Sequence, residues 1–311
     1  MRKILNYLTN HLREDFNPIR YGLTFLFLAL SVYLNYRFDF EDSFLDTQPE
    51  LLRIAYYFLT HCVAYFIPVA FYVGIQKNII FHSRGFWVRS LMALFFLSIY
   101  RSLPYLDDLI RILTDRETQW YAYKIGKNIA GVCILILPFL LFYRIRDTQL
   151  KHRYGLNAMR FDFRPYFLML LLMVPLIAAA SFLPDFQEQY PRYEANKAHL
   201  HIGVAEWVTA LVYELSYGLN FVSIEFFYRG FLVIGMMGVL GRGGVLAMAS
   251  LYCFLHFGKP MGEAISSIFG GFILGTIAYQ TRSIWGGVIV HVGIAWLMEL
   301  AAFVQQYIRN H

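Results

Sequence analysis

Apolar stretches approaching the thickness of a bilayer recur along this chain, separated by short charged connections. They run Tyr21–Tyr36, Ile54–Ile75, Phe86–Tyr100, Ile125–Tyr143, Tyr166–Leu183, Val204–Leu240, Val245–Phe257, Ala264–Tyr279 and Ile284–Val304. A helix crossing the hydrocarbon needs roughly 20 apolar residues, so the shorter stretches must borrow from their flanks. The pattern predicts an all-α fold, a polytopic transmembrane helical bundle of about nine helices, with about eight or ten as the neighbouring counts. Composition agrees: only 15% of the residues are charged, against about 25% in an ordinary soluble domain. The net charge of +6 then reads as basic loops on one face of a membrane, not as a nucleic-acid footprint. Cys62, Cys133 and Cys253 lie inside apolar stretches without metal-ligand spacing and suit reduced thiols. The first apolar stretch follows a charged segment ending at Arg20, which argues against a cleavable signal peptide.

The connections alternate in charge. The amphipathic N-terminal segment, expected on the membrane surface, carries Arg2, Lys3, Arg13 and Arg20. Lys77, Arg84 and Arg89 follow, then Arg144, Arg146, Lys151, Arg153, Arg160 and Arg164. The intervening connection holds Asp39, Glu41, Asp42, Asp46 and Glu50, and the stretch from Asp185 to Glu194 also leans acidic. This positive-inside pattern predicts a cytoplasmic N-terminus, in what reads as a bacterial cytoplasmic (inner) membrane. If Val204–Leu240 is one long tilted helix, Arg242 and Arg282 join the basic side. A break near Gly218-Leu219-Asn220 would invert everything after it. Pro184 marks a boundary, giving an N-terminal membrane-helix region 1–184, a polar loop 185–203 and a C-terminal unit 204–311. In that unit Ser267, Gly271 and Gly275 form a small-residue stripe suited to close helix packing.

Ionisable side chains inside apolar stretches are costly, tend to be paired and mark function. Glu225 and Arg229 stand at i, i+4, acid before base, the better order for a helix pair. His256 and His291 follow in later stretches. At a helical rise of about 1.5 Å per residue all of them reach hydrocarbon depth, where modest tilts would bring them together. Each has a structural reading: an ion pair for Glu225 and Arg229, a helix end for His256. Together they suit general-base activation of water. A metal held by His256, His291 and Glu225 is the second reading, although no HExxH spacing is present. Ser223 points away from Glu225 on the helix, against a serine nucleophile.

The run Ile224-Glu225-Phe226-Phe227-Tyr228-Arg229-Gly230, then Tyr252 with His256 four residues on, then His291, resembles the EExxxR, FxxxH and HxxxN/D motifs of the CAAX-protease and bacteriocin-processing (CPBP, Abi) family of intramembrane endopeptidases. The resemblance covers about 204–304 and implies a glutamate-dependent protease with water held between the first Glu and the second-motif histidine. It departs at two catalytic places: Ile224 stands for the first Glu, and Ala295 for the Asn or Asp. Either Glu225 turns into the base position or another acid supplies it, Glu263 or Glu299; Glu214 lies roughly 16 Å along the axis, too far. The expected function is peptide-bond hydrolysis in a membrane-associated peptide or protein substrate, without a required cofactor, a divalent metal being the alternative. Glu225 and His256 would handle water, Arg229 would orient Glu225, and His291 would bind the oxyanion. The rival reading is an inactive relative acting as a membrane scaffold or immunity-like binding protein. A transporter is weaker, because no inverted repeat is visible. The partners expected are that substrate and the lipid bilayer, with no nucleic acid.

Overall fold

The computed structural model describes residues 2–77, 79–157, 162–194 and 196–310; among these every regular element is helical. That is the solution lipid imposes, since a helix satisfies its own backbone polar groups. The order is α1 (Arg2–Asp15), α2 (Pro18–Phe38), α3 (Glu50–Gln76), α4 (Arg84–Ser102), α5 (Leu106–Leu113), α6 (Gln119–Leu135), α7 (Leu137–Arg146), α8 (Arg164–Ala180), α9 (Pro184–Gln189), α10 (Ala198–Ile202) and α11 (Glu206–Glu225). A π-helix, Phe226–Gly235, continues α11 and leads to α12 (Met237–Leu240), α13 (Gly243–Phe254), α14 (Met261–Thr281) and α15 (Trp285–Asn310).

Each apolar stretch read from the sequence falls on helix. Among the described residues four helices are long and apolar enough to cross a membrane: Glu50–Gln76, Gln119–Arg146, Met261–Thr281 and Trp285–Arg309. The pair α4 and α5, bent by 49°, adds a fifth where the two count as one broken span; α8 and α13 are shorter apolar helices. The span Gln119–Arg146 joins α6 and α7 through Ile136, where Pro138 removes a helix donor from the first turn of α7. Helix starts follow local chemistry too: Asn17 accepts from the Arg20 backbone N–H with Pro18 behind it, and Ser83 accepts from Phe86.

Between Glu206 and Gly235 the chain does not break, so the continuous reading of Val204–Leu240 holds and the inversion at Gly218-Leu219-Asn220 does not occur. Basic connections therefore gather at one end of the bundle. Arg242 pairs with Glu14, Arg89 pairs with Asp147, and Arg242 and Arg282 both stack on Tyr279. Arg160 lies outside the described residues. The N-terminal helix is packed against α14 rather than lying free: Ile4, His11 and Asp15 are buried, and Asp15 is held by Arg20 at 2.5 Å.

Two packings position the site. α6 and α11 run parallel, locked by Tyr121 donating to the Thr209 carbonyl at 2.8 Å and Asn128 donating to Ser216 at 3.0 Å. α13 and α14 meet along the stripe Ser267, Gly271 and Gly275, where the two glycines admit Tyr252, Ala249, Met248 and Val245. A Cβ on Gly271 would stand 3.1 Å from the Tyr252 ring and 3.4 Å from the Ala249 backbone. Gly271→Val is therefore expected to lower stability in detergent by about 2 kcal/mol through overpacking, with Gly270→Val, which faces open space, as the control in a thermal unfolding series.

Candidate active site

The π-helix begins immediately after Glu225, and wide helical turns of this kind are frequent at functional sites. Glu225 and Arg229 are fully buried, with Arg229 Nη1 3.0 Å from Glu225 Oε1. The same oxygen receives His291 Nδ1 at 2.9 Å. A carboxylate paired with a guanidinium only accepts, so the proton lies on Nδ1 of His291 and Nε2 carries a lone pair. Tyr252 donates its hydroxyl to that Nε2 at 3.1 Å. The Arg229 guanidinium lies over the Tyr252 ring, 4.4 Å from its centroid. His256 Nδ1 stands 2.9 Å from the Tyr252 backbone oxygen; a carbonyl also only accepts, which leaves His256 Nε2 unprotonated.

Arg229 makes no hydrogen bond of good direction, and Glu225 Oε2 has no partner among the described residues. The charge pair and the stacked tyrosine therefore carry the burial of both groups. Gly287 is needed beside them: a Cβ there would run into Glu225 Oε2.

Both histidines line one cavity of about 290 Å³, together with Tyr252, Tyr100, Asn220, Ile224 and Tyr217. Glu225 is not part of this wall; it sits one layer behind, reaching the cavity through His291. Among the described residues Glu225 bonds His291, whereas His256 bonds the Tyr252 carbonyl. Ile224, by contrast, does reach the wall. Ala295 is buried in an aromatic cluster with Tyr121, Tyr193, Tyr213, Tyr217 and Phe221.

The acids considered as substitutes go elsewhere. Glu263 pairs with Lys259 at 3.2 Å and accepts from Tyr190 at 3.2 Å. Glu299 accepts from the backbone N–H groups of Arg192 and Tyr193 at 2.7 and 3.2 Å. Glu214 hydrogen-bonds neither histidine. The acids that do enter the cavity come from the connection after α2: Glu41, Asp42 and Asp46. A Cβ on Gly258, two residues past His256, would stand 3.2 Å from Glu41 Oε1 and 3.4 Å from Asp42 Oδ1. Glu41 is held by Arg101; burial, then Asp39 and Asp46, push the Asp42 carboxyl up from the usual range. Sequence reading placed these acids in an outer loop and gave Arg101 no role. Lys127, a cation inside the stretch Ile125–Tyr143, is the readable signal it passed over.

Among the described residues no three His, Cys, Asp or Glu side chains converge in a way that could hold a metal ion. Both ring nitrogens of His291 are already engaged. The geometry offers a general base, His256 Nε2, beside a tyrosine–histidine–carboxylate chain anchored on an arginine.

Residues 206–297 match the family described as Type II CAAX prenyl endopeptidase Rce1-like. Comparison with curated proteins and with solved structures gives no match.

The buried pair makes its own prediction. Arg229→Met alone strands a buried carboxylate and is expected to cost about 3–5 kcal/mol, whereas Arg229→Met with Glu225→Met should recover most of it. Thermal unfolding of the purified variants in detergent checks the order; equal loss in both would show that the pair is not the anchor.

Proposed function

We propose, from the premise that residues 206–297 belong to the CAAX-protease-like family, that this membrane protein is an intramembrane endopeptidase acting on a membrane-associated peptide. The observation that carries the reading is the pair of histidines on one cavity wall, one with a free basic nitrogen and the other tied to a buried carboxylate. His256 Nε2 takes a proton from water as its oxygen attacks the peptide carbonyl. The developing oxyanion is met by the Tyr252 hydroxyl and by His291 Nε2–H once that ring is protonated, with Glu225 accepting from Nδ1 and balancing the charge. Arg229 and Gly287 position Glu225. Collapse of the tetrahedral intermediate returns the proton from His256 to the leaving amine. The basic end of the bundle, with the N-terminus, faces the cytoplasm on this reading.

The test is cleavage of an acyl-anchored fluorogenic peptide library by the reconstituted protein. His256→Gln should lower the rate by about 10²–10⁴-fold, the usual worth of a positioned general base. Undiminished cleavage by that variant would remove the proposed site. The apolar Ile224 on the cavity wall favours a second reading, a catalytically silent relative that binds a peptide in the same cavity. An inert wild type together with an active Ile224→Glu/Ala295→Asn variant would establish it.

A further inference from the structure

The cavity wall carries five Lys and Arg side chains, Arg101, Lys124, Lys127, Arg192 and Lys259, against three carboxylates, Glu41, Asp42 and Asp46. Pairing does not use the cations up. Arg101 is neutralised by Glu41 and Lys259 by Glu263. Lys124 meets Glu194 only at 3.9 Å and rests on Trp120. Among the described residues Lys127 has no ion-pair or hydrogen-bond partner. The Arg192 guanidinium stacks on Tyr190 at 5.4 Å, with Glu263 and Glu299 acting on it only through space.

Lys124 and Lys127 stand at i, i+3 on α6 and so share a face. The bonds Tyr121–Thr209 and Asn128–Ser216 fix their height. In that register Lys127 stands level with Leu215, roughly 15 Å along α11 from Glu225. An extended peptide rises about 3.3 Å per residue, so that distance is on the order of four residues. The wall between holds Asn128, Tyr213, Tyr217, Asn220 and Tyr100, groups that hydrogen-bond a peptide backbone and offer a lipid tail poor contact.

We infer that Lys124, Lys127 and Arg192 form a carboxylate-recognition site, which selects peptides carrying an acidic group within about four residues of the bond placed at His256. The site deepens the peptidase reading and rests on the peptide lying in the same cavity. These cations open onto the cavity without a close anion of their own, and a substrate carboxylate forming charge-assisted hydrogen bonds supplies the missing partner.

Binding tests this independently of turnover. The full chain in phosphatidylcholine nanodiscs is titrated with acyl-anchored peptides identical except for Glu or Gln at the acidic position, each with a free or an amidated C-terminus. Peptides carrying the recognised carboxylate should bind roughly tenfold tighter than the amidated Gln peptide, the scale of one charge-assisted contact. Lys127→Met with Arg192→Gln should abolish the preference while leaving binding of the amidated Gln peptide unchanged. If only the free C-terminus matters, the carboxylate is terminal; if only Glu matters, it is a side chain; both support the site. Equal binding of all four peptides overturns it, and so does competition by phosphatidylglycerol without any peptide preference, which would make the site one for lipid phosphate. Acid preference without cleavage would retain the site and remove the peptidase, whereas cleavage without acid preference would do the reverse.

Discussion

A carboxylate and a guanidinium withdrawn together from water set the terms for the rest of this molecule. Removing either charge from solvent costs several kcal/mol, and the mutual attraction repays that only where geometry is tight. The surroundings of Glu225 and Arg229 are built accordingly: a tyrosine ring beneath the guanidinium, an imidazole on the shared oxygen, and a glycine where any side chain would collide. Three separate helices, α11, α13 and α15, must hold their relative heights for those contacts to exist together. The small-residue seam between α13 and α14 and the hydrogen bonds between α6 and α11 keep them there.

The fold was legible because lipid leaves few choices. Apolar length put helix on each apolar stretch, but it left two positions open for Arg242 and Arg282; the unbroken helix from Glu206 to Gly235 is what brings them to the same end as the N-terminus. Glu225, Arg229, His256 and His291 stood out for the same reason, being ionisable groups where such groups are expensive. What could not be read was depth in the third dimension. Neighbouring residues on a helix point about 100° apart, and only coordinates reveal that Ile224 takes the wall while Glu225 turns behind it. The cavity's remaining groups meet across long separations, Tyr100 with Asn220 and Arg101 with Glu41. No local pattern announces such pairs.

That long-range character bears on how the two halves of the chain relate. The segment 206–297 supplies the histidines, the buried pair and the tyrosine. The helices before it supply Glu41, Arg101, Lys124 and Lys127, and Ser250 of α13 donates to the Ala64 carbonyl of α3 at 2.7 Å. The boundary visible in composition near Pro184 is thus not a boundary of the cavity. The leading helices, which carry no motif of their own, form much of the surface a ligand would touch.

The wide turns after Glu225 have a consequence for reading relatives of this chain. Each π turn holds an additional residue, so whatever follows Gly235 is rotated by about 100° per insertion relative to an unbroken α-helix. Residues up to Glu225 keep the phase of α11; the segment from Met237 onward obeys another. A relative lacking the insertion would align letter for letter on one flank only, and its side chains on the other flank would face different neighbours despite identical spelling.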